Sequence, residues 1–132
     1  MMYLLDTNVI IDLLNGNQNV MNNFKRCYST DSIKIVDIAF YEILRGFKYK
    51  DPKGLLPKFE KFIDKCPIVY QTRQSVEIAA QNYANLRKNG QKIDDADLLI
   101  GSVAIAQNAV LVTNNTGHLS RLSGIQIENW TE

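Results

Sequence analysis

Short apolar runs and longer amphipathic stretches alternate along the chain. Residues 3–5, 33–36, 68–70, 110–113 and 125–127 are rich in Ile, Val, Leu and Tyr and have the length and composition of strands. Between them, residues 8–14, 38–47, 55–65, 74–88 and 96–108 carry apolar residues at helical spacing or Ala-rich composition, with Pro57 tolerated in a first turn. Asp51-Pro52-Lys53-Gly54 is the clearest turn, and no repeat, low-complexity tract or linker divides the chain. The alternation predicts an α/β fold: one domain over residues 1–132, with a mostly parallel central sheet and helices on both faces. In such sheets ligands bind beyond the carboxyl ends of the strands, so the polar residues at those ends matter most.

Asp6 follows Tyr3-Leu4-Leu5 and precedes Val9-Ile10-Ile11, which holds a carboxylate between an apolar strand and an apolar helix. Capping of that helix by Asp6 or Asn8 explains the same residues, and Thr7 serves either account. Glu42 lies on a helix among Ile38, Ala39, Arg45 and Gly46, either at the rim of a buried face or pointing into a polar cavity. Asp97 opens a helix that is apolar nearly all round. The helix dipole favours acids at Asp94, Asp95 and Asp97, but does not explain why one continues into the apolar body. After the run Val110-Leu111-Val112 the chain turns abruptly polar at Thr113-Asn114-Asn115, which reads as a turn capping a helix near Gly117 and equally allows Thr113 or Asn114 to reach a carboxylate or a phosphate. The lone histidine, His118, reads as a surface residue.

Composition narrows the classes. At 132 residues and 45% hydrophobic content the chain can bury about two thirds of its unfolded surface. Fifteen Lys and Arg against fourteen Asp and Glu exclude a broad basic footprint, so any nucleic-acid role must rest on local patches. Arg45, Lys48 and Lys50 after Glu42, and Arg87, Lys88 and Lys92 before the Asp97 helix, supply the right charges. Cys27 and Cys66 stand far apart without Cys/His neighbours, which predicts reduced core residues rather than a zinc site or disulfide. An acid inside the first apolar stretch, with no basic segment before it, argues against a cleavable secretion signal. No run of about 20 apolar residues predicts a membrane span, and the expected location is the cytoplasm.

Taken in order, strand-Asp6-Thr7-Asn8, Glu42-x-x-x-Gly46, Asp97-Leu98-Leu99-Ile100 and Thr113-Asn114-Asn115 resemble the PIN-domain nucleases, and among them the VapC toxins of toxin-antitoxin pairs. Each motif is weak alone; the ordered set is specific. The resemblance covers essentially the whole chain, through Arg121-Leu122-Ser123-Gly124-Ile125-Gln126-Ile127-Glu128-Asn129-Trp130, which looks like the family's closing strand. It implies an Mg2+- or Mn2+-dependent endoribonuclease, usually homodimeric, silenced by a VapB-type antitoxin. Asp6, Glu42 and Asp97 match the family's acidic positions, whereas His118 stands where the family often has a fourth acid.

The chemistry of phosphodiester hydrolysis fits that trio. The reaction needs an activated water and neutralisation of charge growing on the phosphoryl oxygens, and divalent ions supply both. Carboxylates gathered from three distant segments repel one another when empty and suit Mg2+ that keeps several waters. Asp6 and Asp97 are then the direct metal ligands. Glu42 binds a second ion, holds a metal-bound water or accepts the proton of the attacking water, and Asn8, Arg45, Thr113 and Asn114 support substrate or ligands. Removing either Asp6 or Asp97 charge is expected to leave stability equal or higher.

Two other classes compete. A strand ending in Asp, followed by Thr7, faintly resembles haloacid-dehalogenase phosphohydrolases, but those need a second aspartate where this chain has Asn8. A non-catalytic module holding RNA or an antitoxin is the other.

Overall fold

The computed structural model describes residues 1–132. In chain order the elements are β1 (Met2–Leu5), α1 (Thr7–Leu14), α2 (Gln18–Tyr28), β2 (Ser32–Val36), α3 (Asp37–Tyr49), α4 (Leu56–Lys65), β3 (Ile68–Val69), α5 (Arg73–Lys88), α6 (Asp95–Ala106), β4 (Val110–Val112), α7 (Thr116–Leu119) and β5 (Gln126–Glu128). The strands form one sheet in the order β3-β2-β1-β4-β5, and every neighbouring pair is parallel.

Successive strand residues point to opposite faces. In β1, Tyr3, Leu4 and Leu5 are all buried, and so are Val110, Leu111 and Val112 of β4. Both faces of the central strands are therefore covered, which is why these segments read as unbroken apolar runs rather than alternating ones. The apolar core continues from these strands into α1, α4 and α6 and reaches Trp130 at the end of the chain.

The strand order fixes where a ligand belongs. The chain proceeds outward from β1 to β2 and β3, then returns to place β4 on the other side of β1. The connections reverse direction between β1 and β4, and a crevice opens there beyond the carboxyl ends of the two strands. Asp6 follows β1 and Thr113 follows β4, so both stand at this crevice.

Helix α6 is buried on most of its circumference, at Leu98, Ile100, Gly101, Ser102, Val103 and Ala104. The Ser102 hydroxyl is accommodated by donating to the Leu98 carbonyl at 2.7 Å. Gly101 permits the closest approach: a Cβ there would collide with Leu122 Cδ1 and stand 3.3 Å from Leu119 Cδ2. This contact seats α6 against α7 and the turn that follows it, bringing the Asp97 and His118 segments together.

Helix α2 was not anticipated from the sequence. There Asn19, Asn22 and Asn23 lower helix propensity and mask the apolar set Val20, Phe24 and Cys27. Asn17 caps this helix by accepting from Val20 N at 3.1 Å. Helix α7 is the single turn at Gly117 that follows the polar Thr113-Asn114-Asn115 segment. The expected reduced state of the cysteines agrees with the structure: Cys27 and Cys66 are free and buried, and burial pushes the Cys66 thiol up to about 11.

Candidate active site

Asp6 is only 3% exposed, yet it is fully provided with donors. Its Oδ1 accepts from Thr7 N at 2.8 Å, and its Oδ2 accepts from the Thr113 hydroxyl at 2.7 Å and from Asn8 Nδ2 at 3.4 Å. The capping and functional readings of Asp6 are thus compatible, because the N-cap of α1 is also the carboxylate at the crevice. Burial pushes its carboxyl above the usual range, and the three hydrogen bonds pull it back.

The other two acids are tied to Asp6 by short polar links. The Thr7 hydroxyl, one residue on, donates to Glu42 Oε1 at 3.0 Å and fixes the half-buried glutamate in the second turn of α3. On the opposite side, the Thr113 hydroxyl also accepts from Asn115 N at 3.0 Å, and Asn115 Nδ2 donates to Asp97 Oδ2 at 2.9 Å. A continuous path therefore runs from Glu42 through Thr7, Asp6, Thr113 and Asn115 to Asp97. Glu42 Oε2 and Asp97 Oδ1 receive no hydrogen bond from the protein and remain free to act on a ligand.

Asp97 stands within the field of the other two acids. The Asp97 carboxyl is pushed up to about 6, first by burial and then by the charges of Asp6, Asp94 and Glu42, with His118 drawing it partly back. No three His, Cys, Asp or Glu side chains stand close enough to enclose an ion unaided. The acids are thus near enough for their charges to act on Asp97 without forming a closed ion cage, and Glu42 and Asp97 each keep one oxygen free of protein donors. Hard oxygen donors of this kind suit Mg2+ or Mn2+, which retain water and need one or two carboxylates rather than a protein cage.

The raised Asp97 carboxyl has a consequence for stability. Its folded affinity for a proton exceeds that of the unfolded chain, so the fold binds more protons between the ordinary value of 3.8 and about 6. Without metal, stability should fall as pH rises through that window, and acidification from about pH 7.5 to about pH 5.5 should raise the melting temperature. Asp97→Asn should flatten this response in thermal melts. An unchanged pH slope in the variant would show that Asp97 is not the group responsible.

The remaining sequence-derived candidates divide. Asn8 and Asn114 join the β1 and β4 loops, with Asn114 N donating to Asn8 Oδ1 at 3.0 Å and Asn114 Nδ2 donating to Asp12 Oδ2 at 2.8 Å. They support the loop walls, and Asn114 touches none of the three acids. Arg45 lies exposed on α3 with its guanidinium 5.1 Å from the Tyr41 ring centroid, and forms no ion pair with Glu42. His118 is exposed on α7. Thr7, which the sequence left open between capping and function, joins the site through Glu42, and Asn115, not chosen from the sequence, joins it through Asp97, although it lay inside a motif already singled out.

An α/β fold with a crevice of three linked carboxylates at its strand reversal defines a class, and comparisons with known proteins specify it. The PIN domain family model matches residues 3–125. A Rickettsia felis protein named Ribonuclease VapC2 is 31% identical over 132 residues, covering 98% of both chains. The tRNA(fMet)-specific endonuclease VapC of Salmonella typhimurium is 28% identical over 130 residues, covering 97% of each. Among solved structures, VapBC2 from Rickettsia felis, bound to a DNA fragment from its promoter, superimposes with a TM-score of 0.91 at 30% identity over 98% of this chain and 99% of that one. The chain belongs to the PIN-domain family, among the VapC ribonucleases. Membership leaves no place for a haloacid-dehalogenase reading, and Asn8 indeed serves as a hydrogen-bonding residue where that reading wants an aspartate.

Proposed function

We propose that the chain, acting as one nuclease domain over residues 1–132, is an Mg2+- or Mn2+-dependent endoribonuclease and the toxin of a VapBC-type pair. The observation that carries this reading is the linked trio Glu42, Asp6 and Asp97 at the strand reversal. Asp6 and Asp97 would hold the ion, with Glu42 at its edge. When bound, it would offset charge on the phosphoryl oxygens and lower the pKa of a coordinated water.

The protein's own groups do the positioning. Thr113 and Thr7 N fix both oxygens of Asp6, and Asn115 fixes one oxygen of Asp97, so neither carboxylate has to be ordered at the moment of reaction. Thr7 occupies Glu42 Oε1, which leaves Oε2 to accept the proton of the attacking water. Relatives carrying the names ribonuclease and endonuclease, and a neighbour solved as a VapBC assembly, favour RNA as the substrate and a VapB-type antitoxin as the partner. A homodimer in the cytoplasm completes the proposal; no helix is long and apolar enough to cross a membrane.

The test is internal cleavage. A covalently closed circular RNA offers no ends, so its conversion to linear product by the purified chain requires an endonuclease. Binding without any linear product would favour the non-catalytic module instead.

A further inference from the structure

Beside the acidic crevice lies a second concavity of opposite character. Arg87 at the end of α5, Lys92 and Asp94 in the segment leading to α6, and His118 of α7 line an open cleft of about 380 Å³. Three separate segments supply its cationic or titratable bases. Neither Arg87 nor Lys92 is engaged in a salt bridge. The Arg87 guanidinium instead sits 5.1 Å from the Tyr83 ring centroid, which orients it without neutralising it. Arg121 Nη1 donates to the Lys92 carbonyl at 2.9 Å and ties the Lys92 segment to the turn after α7, so this wall of the cleft is held in place.

The cleft and the carboxylates share a border. Asp94 lines the cleft and is the N-cap residue of α6, three positions before Asp97, while His118 lines it from α7. Both act on the charge of Asp97, so the two sites lie within each other's field. A polyanion approaching three carboxylates is repelled by them, and a chain with net charge +1 has no general positive field to offset that. Unpaired cations next to the repelling site are where such compensation has to be built.

We propose that the cleft lined by Arg87, Lys92 and His118 is a phosphate subsite that holds the RNA backbone next to the scissile phosphate. This rests on the reading of the chain as an RNA-cleaving enzyme, and it deepens that reading by naming where the strand leaves the carboxylates. It also gives His118 a part distinct from metal binding: beside Arg87 and Lys92, and with Asp94 the one acid on the lining, an imidazole N–H can donate to a phosphate oxygen. Backbone phosphate contacts position the strand and carry no sequence information, so the subsite should act on all RNAs alike.

The experiment compares the native chain, Arg87→Gln, Lys92→Gln, the double variant, His118→Ala, and Lys25→Gln on α2 outside the cleft. Binding of a short labelled single-stranded RNA is measured in EDTA across a salt series. Cleavage of the same RNA is measured with Mn2+, beside a dinucleotide that has only the scissile phosphate. Arg87→Gln and Lys92→Gln should each lower the slope of log affinity against log salt by about 0.7, and the double variant by about twice that, while His118→Ala should weaken binding with little change in slope. The double variant should raise KM for the RNA about tenfold with kcat within about twofold, and should cut the dinucleotide at the native rate. Native salt slope and KM in the double variant would overturn the subsite while leaving the nuclease reading intact. A cleft-dependent salt slope without any cleavage would sink the nuclease reading and keep the subsite, and no RNA affinity at low salt would sink both. His118→Ala as inactive as a Glu42 variant would place the histidine in catalysis and overturn its assignment here. Equal, cleft-dependent binding of poly-glutamate would show a general anion trap instead of an RNA subsite.

Discussion

Asp97→Asn is expected to lose RNA cleavage by about 10³-fold or more, roughly 4 kcal/mol of barrier, while melting at an equal or higher temperature than the native chain at neutral pH without metal. Asp97 stands in the combined field of Asp6, Asp94 and Glu42, and burial adds to its discomfort as an anion. An amide removes that repulsion, keeps an oxygen to accept from Asn115 Nδ2, and forfeits the charge that a divalent ion requires. Asp6→Asn should lose cleavage to the same degree, but the structure separates the two in stability, against the expectation from sequence that neither would be costly. Asp6 Oδ2 accepts from the Thr113 hydroxyl inside the protein, and an amide nitrogen placed there cannot accept. Turned the other way, the amide keeps the Thr113 bond but sets its nitrogen against the Thr7 N–H, so one donor loses its acceptor in either orientation. The buried Asp6→Asn chain should therefore melt below Asp97→Asn, and the path to Asp97 should loosen with it. Calorimetric melts of both variants, paired with cleavage rates, check this. An Asp97→Asn chain that unfolds easily would return Asp97 to a structural role.

Glu42→Gln should lower kcat by about 10²- to 10⁴-fold while changing metal affinity by less than about tenfold, because its part is assigned to the proton of the attacking water. The geometry makes the distinction measurable. Oε1 is held by Thr7 at 3.0 Å, and an amide oxygen can keep that bond, so Gln preserves the shape and removes the basic Oε2. Titration of Mn2+ into both proteins, alongside single-turnover cleavage, separates the roles left open by the sequence. A loss of metal affinity as large as the loss of rate would make Glu42 a metal ligand instead.

The legible part of the fold was what periodicity could carry. The unbroken apolar runs of β1 and β4 announced strands buried on both faces, and the alternation with helices announced parallel pairing. Helix α2 escaped because its stability lies in two buried residues, Val20 and Cys27, the half-buried Phe24 and an Asn17 cap rather than in propensity. Asp6, Glu42 and Asp97 were each ambiguous alone, since a cap, a rim glutamate and a dipole acid have the same sequence signature. What joined them was not visible: the Thr7 and Asn115 links span 35 and 18 residues, and no local pattern reveals a hydrogen bond across such distances. The cleft was hidden for the same reason: Arg87 and Lys92 were legible as candidate phosphate contacts, but only the fold places His118 with them in one concavity.

If three carboxylates linked across the strand reversal make a metal-dependent endoribonuclease, the purified chain should open circular RNA only while a divalent ion is present. Linear product is expected with Mg2+ or Mn2+, none in excess EDTA, and full recovery when the metal is returned in excess. Undiminished conversion in EDTA, or equal conversion by Asp97→Asn, would contradict that expectation.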